Sequence, residues 1–182
     1  MLSRIISPLT LTATSLVNAT GCGKNAMLSS LQNQTSGLRE IGYPGLDFPT
    51  WLGRVDAVDA VDLEVSLKHY NCRNNKLAKL ALDTDGFRYA VDTAISTHGS
   101  DRIGVFMGTS TSGKAETEAA YMSRENDNSK LPLSFDMLHT HNIGSVQLYV
   151  QHSLGLDGVG LTISTACSSS AKVFATAYRF IS

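Results

Sequence analysis

The sequence is poor in charge. Asp, Glu, Lys and Arg make up 17% of it, against about 25% in ordinary soluble domains. The charge present nearly cancels, with 15 Lys and Arg against 16 Asp and Glu for a formal net charge of −1. Such a balance leaves no basic footprint for nucleic acid and no polybasic run for an anionic membrane surface. Cysteine is also sparse. Cys22, Cys72 and Cys167 are scattered, and no CxxC pair occurs, which excludes a disulfide framework and argues against structural zinc. An odd count fits reduced thiols in a cytoplasmic setting. No apolar run approaches the roughly 18 residues of a membrane span, and there are no internal repeats or low-complexity segments.

Apolar types form 42% of the 182 residues, enough for one domain with a sizeable core. Few charges and many small residues, 15 of them Gly, imply a tightly packed α/β protein with neutral surface suited to an interface. At the N-terminus, Arg4, a moderately apolar stretch and Ala19-Thr20-Gly21-Cys22 imitate a lipoprotein leader. Pro8, Thr10, Thr12, Thr14, Ser15 and Asn18 interrupt it, where a leader needs about 7–15 consecutive apolar residues.

Periodicity outlines the rest. Ile6–Val17 reads as a first strand and Asn25–Gln32 as a short helix, whereas Ser36–Leu67, rich in Gly and Pro, is mostly loop. Asp56, Asp59 and Asp62 lack the Gly and Glu of a calcium loop and read as solvated. Asn74–Thr97 keeps a 3.6-residue apolar period, with Gly86 placed to split it or allow close packing. Ile103–Met107 reads as a buried strand, Lys114–Arg124 and Asn142–Leu154 as helices, Gly158–Thr165 as a strand and Ser168–Ser182 as a helix. Tyr149, Tyr178, Phe174 and Phe180 read as core, and His98 as a helix end where a cation suits the dipole. The alternation predicts an α/β class with a mainly parallel central sheet flanked by helices and right-handed crossovers.

Cys167 stands where a predicted strand turns sharply into a predicted helix, the arrangement of a nucleophile elbow. A helix N-terminus places unpaired N–H groups and about half a positive charge beside such a thiol. The same N–H groups can bind an oxyanion. By the pattern alone, a buried structural cysteine remains the alternative.

Thr165-Ala166-Cys167-Ser168-Ser169-Ser170 resembles the nucleophile motif of the β-ketoacyl synthases, the condensing enzymes of fatty-acid and polyketide synthesis. Further matches run collinearly. Arg102–Gly113 resembles that family's central strand and following loop, Glu116 and Glu118 follow as in many members, and Arg73–Ala78 resembles the start of its first long helix. Thr12–Leu38 is similar to its N-terminal strand, turn and first helix, with Gly21 as the turn glycine. Ala13 stands where a Gly is usual, and Asn18-Ala19 where Ser-Pro is usual. In this alignment Gly21-Cys22 belongs to the fold and not to a lipoprotein leader.

The resemblance implies a thiolase-like fold of two similar halves, with residues 1–182 as the N-terminal half. It implies a ping-pong decarboxylative Claisen condensation without metal or organic cofactor. Cys167 would accept an acyl group from an acyl carrier protein or coenzyme A thioester, a malonyl thioester would supply the carbanion, and the Cys167 N–H would form one arm of the oxyanion hole. The family's catalytic histidines, lysine and Gly-Phe-Gly loop belong to the second half, so none falls on His69, His98, His139, His141 or His152. A homodimer or a heterodimer of synthase subunits is the implied assembly, with no membrane or nucleic-acid partner. The alternative is a truncated or split half that acts only as a partner of another condensing chain. An isolated half is expected to expose apolar surface and to be aggregation-prone. His139-Thr140-His141 lacks the carboxylate motif of a metal site and reads as a polar loop near a dimer interface. Gly108–Lys114 has GxxxxGK spacing, but Ala115 stands where a magnesium-binding Ser or Thr is required. The resemblance makes Thr109–Gly113 part of the acyl-site wall instead.

Overall fold

The computed structural model describes residues 8–43, 46–124 and 130–181. Its centre is a parallel pair, β5 (Val105–Gly108) and β6 (Gly160–Ile163), with Val105 opposite Gly160 and Gly108 opposite Ile163. Helices α5 (Ser145–Ser153) and α6 (Ser169–Ile181) pack on this pair. Helix α2 (Arg73–Leu82) packs on α5, and α3 (Phe87–His98) follows it. The core gathers Tyr70, Leu82, Val105, Val146, Tyr149 and Val150, with the Tyr149 side chain wholly enclosed at 0% exposure. This is the α/β arrangement that the alternation predicts.

Two hairpins of two-residue strands lie outside the core. One pairs β1 (Val17–Asn18) with β2 (Gly21–Cys22), and α1 (Lys24–Gln32) follows it. The other pairs β3 (Arg39–Glu40) with β4 (Trp51–Leu52), within the segment expected to be loop. The strand expected over Ile6–Val17 is not present across its described part. Residues 8–16 are irregular, and residues 6 and 7 lie outside the described residues. The polar groups of this stretch are taken up elsewhere: Ser15 Oγ donates to Ala81 O at 2.6 Å and the Leu16 N–H to Asp85 Oδ2 at 3.1 Å. Leucine and β-branched content set the expectation, but a strand needs a neighbour to receive its ladder.

The long helix expected over 74–97 is two. Asp85 (φ 56°) and Gly86 (φ 72°) take the left-handed conformation between α2 and α3, and α3 ends at His98 before Gly99 (φ 88°). Helix α4 (Lys114–Met122) touches a wide turn, Met137–His141, that leads into α5. Asp136 caps that turn by accepting the His139 N–H at 3.0 Å. Asp56 and Asp59 are ion-paired and not simply solvated. Asp56 meets Arg39 and Arg54, Asp59 meets Arg54 and Arg73, and the Asp59 carboxyl is held below its ordinary range by Arg54 and then Arg73.

Helix α6 corrects part of the expected core. Phe174, Phe180 and Ile181 are 56%, 57% and 72% exposed. The period of α6 marks an apolar face that β5 and β6 cover only in part: the Phe180 ring meets Phe106 of β5 with centroids 5.3 Å apart. Among the described residues no helix is long and apolar enough to cross a membrane.

Candidate active site

Strand β6 delivers the chain to Ser164, and α6 starts at Ser169. The four residues between make an abrupt turn. Ala166 adopts φ 52°, a left-handed conformation that costs a residue with a Cβ roughly 1–2 kcal/mol. The Ser168 and Ser169 N–H groups donate back to Thr165 O and Ala166 O at 3.3 and 3.2 Å. Ser168 O accepts the Lys172 N–H at 3.0 Å, which opens the helical ladder. Cys167 lies at the tip of this turn and is exposed. No bond to its N–H occurs among the described residues. The geometry is the strand, strained turn and helix of a nucleophile elbow.

The end of β5 closes against the first turn of α6. A Cβ on Gly108 would stand 3.1 Å from the Ser169 backbone and 2.9 Å from Val173 Cγ2, so only glycine lets these elements meet. The loop after β5 then runs from the elbow to the Met137–His141 turn. Ser112 Oγ donates to Asn142 O at 2.9 Å, and a Cβ on Gly113 would fall 1.7 Å from Thr140 O. A cavity of about 360 Å³ opens here between Ser110–Ser112, Lys114, Met137 and His141. A larger one of about 650 Å³ lies between β4, α2 and α4. Cys167 lines neither.

The histidines serve local structure. His139 Nδ1 meets Asp136 Oδ2 at 2.7 Å, and its ring stands edge-on to His69 with centroids 4.6 Å apart. His141 Nδ1 meets Thr117 Oγ1 at 2.5 Å and His152 Nδ1 meets Tyr70 Oη at 3.2 Å. None bonds to the 165–169 turn. Among the described residues no three His, Cys, Asp or Glu converge as metal ligands. Of the other two cysteines, Cys22 is likewise exposed but ends β2 between two glycines, and buried Cys72 has its thiol pushed up to about 11 by desolvation. Glu116, singled out by resemblance alone, accepts the Arg73 N–H at 2.7 Å and so ties α4 to the start of α2.

A family model, the β-ketoacyl synthase N-terminal domain, matches residues 77–182. The chain belongs to the β-ketoacyl synthase family. Among solved structures, a ketosynthase in complex with its chain length factor from Xenorhabdus doucetiae is similar, with 29% identity and a TM-score of 0.77 over 93% of this chain. A β-ketoacyl synthase from Burkholderia phymatum STM815 shares the fold at 19% identity and a TM-score of 0.64, again over 93% of this chain. The chain spans 42% of the length of each of these structures. No curated protein matches it. The fold is therefore thiolase-like, and Thr165–Ser170, which forms the elbow, lies within the matched residues. The buried Ser169 at its base escaped the sequence reading, since three serines follow Cys167 in a row. A serine at a helix start was the available signal.

Proposed function

We propose that residues 1–182 form the N-terminal half of a condensing enzyme whose nucleophile is Cys167. The observation that carries this reading is the strained elbow at Ala166–Cys167, which presents an exposed thiol two residues before α6 and directly after a non-glycine residue held at φ 52°. Cys167 Sγ attacks an acyl thioester of a carrier protein or coenzyme A. A sulfur–carbon bond forms and the carrier thiol leaves with the proton. A malonyl thioester then loses CO₂, and the electron pair of the broken bond attacks the acyl carbon and expels the Cys167 thiolate. The Cys167 N–H faces the developing oxyanion. No redox or metal chemistry is needed, since loss of CO₂ drives carbon–carbon bond formation. The enzyme is an acyltransferase of fatty-acid or polyketide type working in the cytoplasm.

The exposed part of the α6 face fits cover by the second half of the fold, and assembly with a second synthase subunit, identical or of the chain-length-factor kind, is supported by the complex of the Xenorhabdus doucetiae ketosynthase. The same face favours a second reading, in which the chain only completes another condensing subunit. Condensation of acyl and malonyl thioesters by the assembled enzyme separates the two. Cys167→Ala in this chain is expected to reduce 3-oxoacyl product to background, and product formed at the wild-type rate would overturn the first reading.

A further inference from the structure

Three serines follow Cys167, and the structure treats them differently. Ser168 and Ser170 are exposed, whereas Ser169 is 4% exposed. Its hydroxyl accepts the Thr165 N–H at 2.9 Å, donates to Ala166 O at 2.7 Å and lies 3.4 Å from Thr109 O at the tip of β5. One Oγ thus joins the residue before the elbow, the strained residue within it and the first residue of α6. Cys167 is enclosed in the loop this bond pair closes. We propose that Ser169 is a positioning residue that aims the Cys167 thiol and N–H at the acyl carbon and its oxygen. The inference rests on the reading of Cys167 as the acyl acceptor.

Ala166 is held at φ 52°. A left-handed alanine persists only where its surroundings over-determine it. Here the Thr165 N–H and Ala166 carbonyl share one buried partner. Without that hydroxyl the Thr165 N–H loses its partner and Ala166 O keeps only the longer 3.2 Å bond from the Ser169 N–H, so Ala166 is freer to relax towards ordinary φ and the Cys167 Sγ and N–H lose their aim. Alkylation of an exposed thiol tolerates such loss of aim. Acyl transfer does not, because attack and oxyanion binding must coincide.

The test compares two reactions at Cys167 in the assembled enzyme, resolved by peptide mass: loading from acyl-CoA thioesters of graded chain length, and alkylation by iodoacetamide. Ser169→Ala is expected to lower the loading rate at saturating thioester about tenfold. Half-saturation and alkylation rate should stay within about twofold, and Ser169→Thr, which keeps the hydroxyl, should recover most of the loading. Ser170→Ala should change neither reaction. Unchanged loading in Ser169→Ala overturns the proposal. So does a parallel fall in loading, alkylation and melting temperature, which marks a purely structural hydroxyl. A wild-type protein that loads nothing overturns the acyl-acceptor reading itself, an outcome distinct from a wild type and a Ser169→Ala variant that load equally.

Discussion

Gly113→Ala tests the packing that holds the loop beside the elbow. At φ −84° the backbone of Gly113 is open to any residue, so its identity must be fixed by space. An added Cβ would fall 1.7 Å from the Thr140 carbonyl oxygen, where real Cβ contacts essentially never fall under 3.0 Å. The start of α4 and the Met137–His141 turn must therefore part by about 1.3 Å. Both sides are backbone, so no rotamer change relieves the clash. Overpacking of this kind costs about 1–3 kcal/mol. The separation also stretches the 2.9 Å bond from Ser112 Oγ to Asn142 O and the 2.5 Å contact of Thr117 with His141, at about 1 kcal/mol each. The sum is about 3–5 kcal/mol, or a melting temperature lower by roughly 6–20 °C for a domain of this size. Thermal denaturation followed by circular dichroism measures it. Gly42→Ala is the control, because its Cβ would meet nothing within 4 Å. A Gly113→Ala melting temperature within about 2 °C of wild type would refute the close approach.

Acid should weaken the α2 surface. Burial alone would raise Asp83, but Arg88 and Lys79 override it and hold its carboxyl below the ordinary range. Its contribution is present above the unfolded pKa of about 4 and is lost as pH falls through the lower folded value. Asp83→Asn is expected to flatten the acid limb of a stability–pH curve, and an unchanged limb would contradict the assignment. Cys72 should behave oppositely. Desolvation raises its thiol to about 11, so its contribution is lost as pH rises from about 8.5 through that value. At pH 8 iodoacetamide should modify Cys22 and leave Cys72 untouched in the folded chain, and equal modification of both would show that α2 is open.

Local signals were legible in the sequence where one segment determines its own conformation. The strand–turn–helix pattern with its small residues marks the elbow at Cys167, while Gly86 in the sequence leaves open a split or a close packing within one long helix and is the break between α2 and α3. What depends on a distant neighbour was not. The apolar period of α6 identifies a face without saying whether anything covers it, so Phe174 and Phe180 were read as core and stand exposed. The leucines of residues 9–16 resembled a strand, but their polar groups bond to α2 and Asp85. Ala115 already excludes a phosphate loop at Gly113-Lys114, but only the Thr140 carbonyl shows why glycine is required there. Ser168, Ser169 and Ser170 are identical letters, and only their burial separates them.

The most direct test of Cys167 as nucleophile is to incubate the assembled enzyme with acyl-CoA thioesters, digest it and weigh the three cysteine peptides of residues 1–182. An acyl mass is expected on the Cys167 peptide, none on Cys72, and loss of the adduct in a Cys167→Ala variant that melts like wild type. An adduct on exposed Cys22 equal to that on Cys167, or one that survives Cys167→Ala undiminished, would contradict Cys167 as the nucleophile.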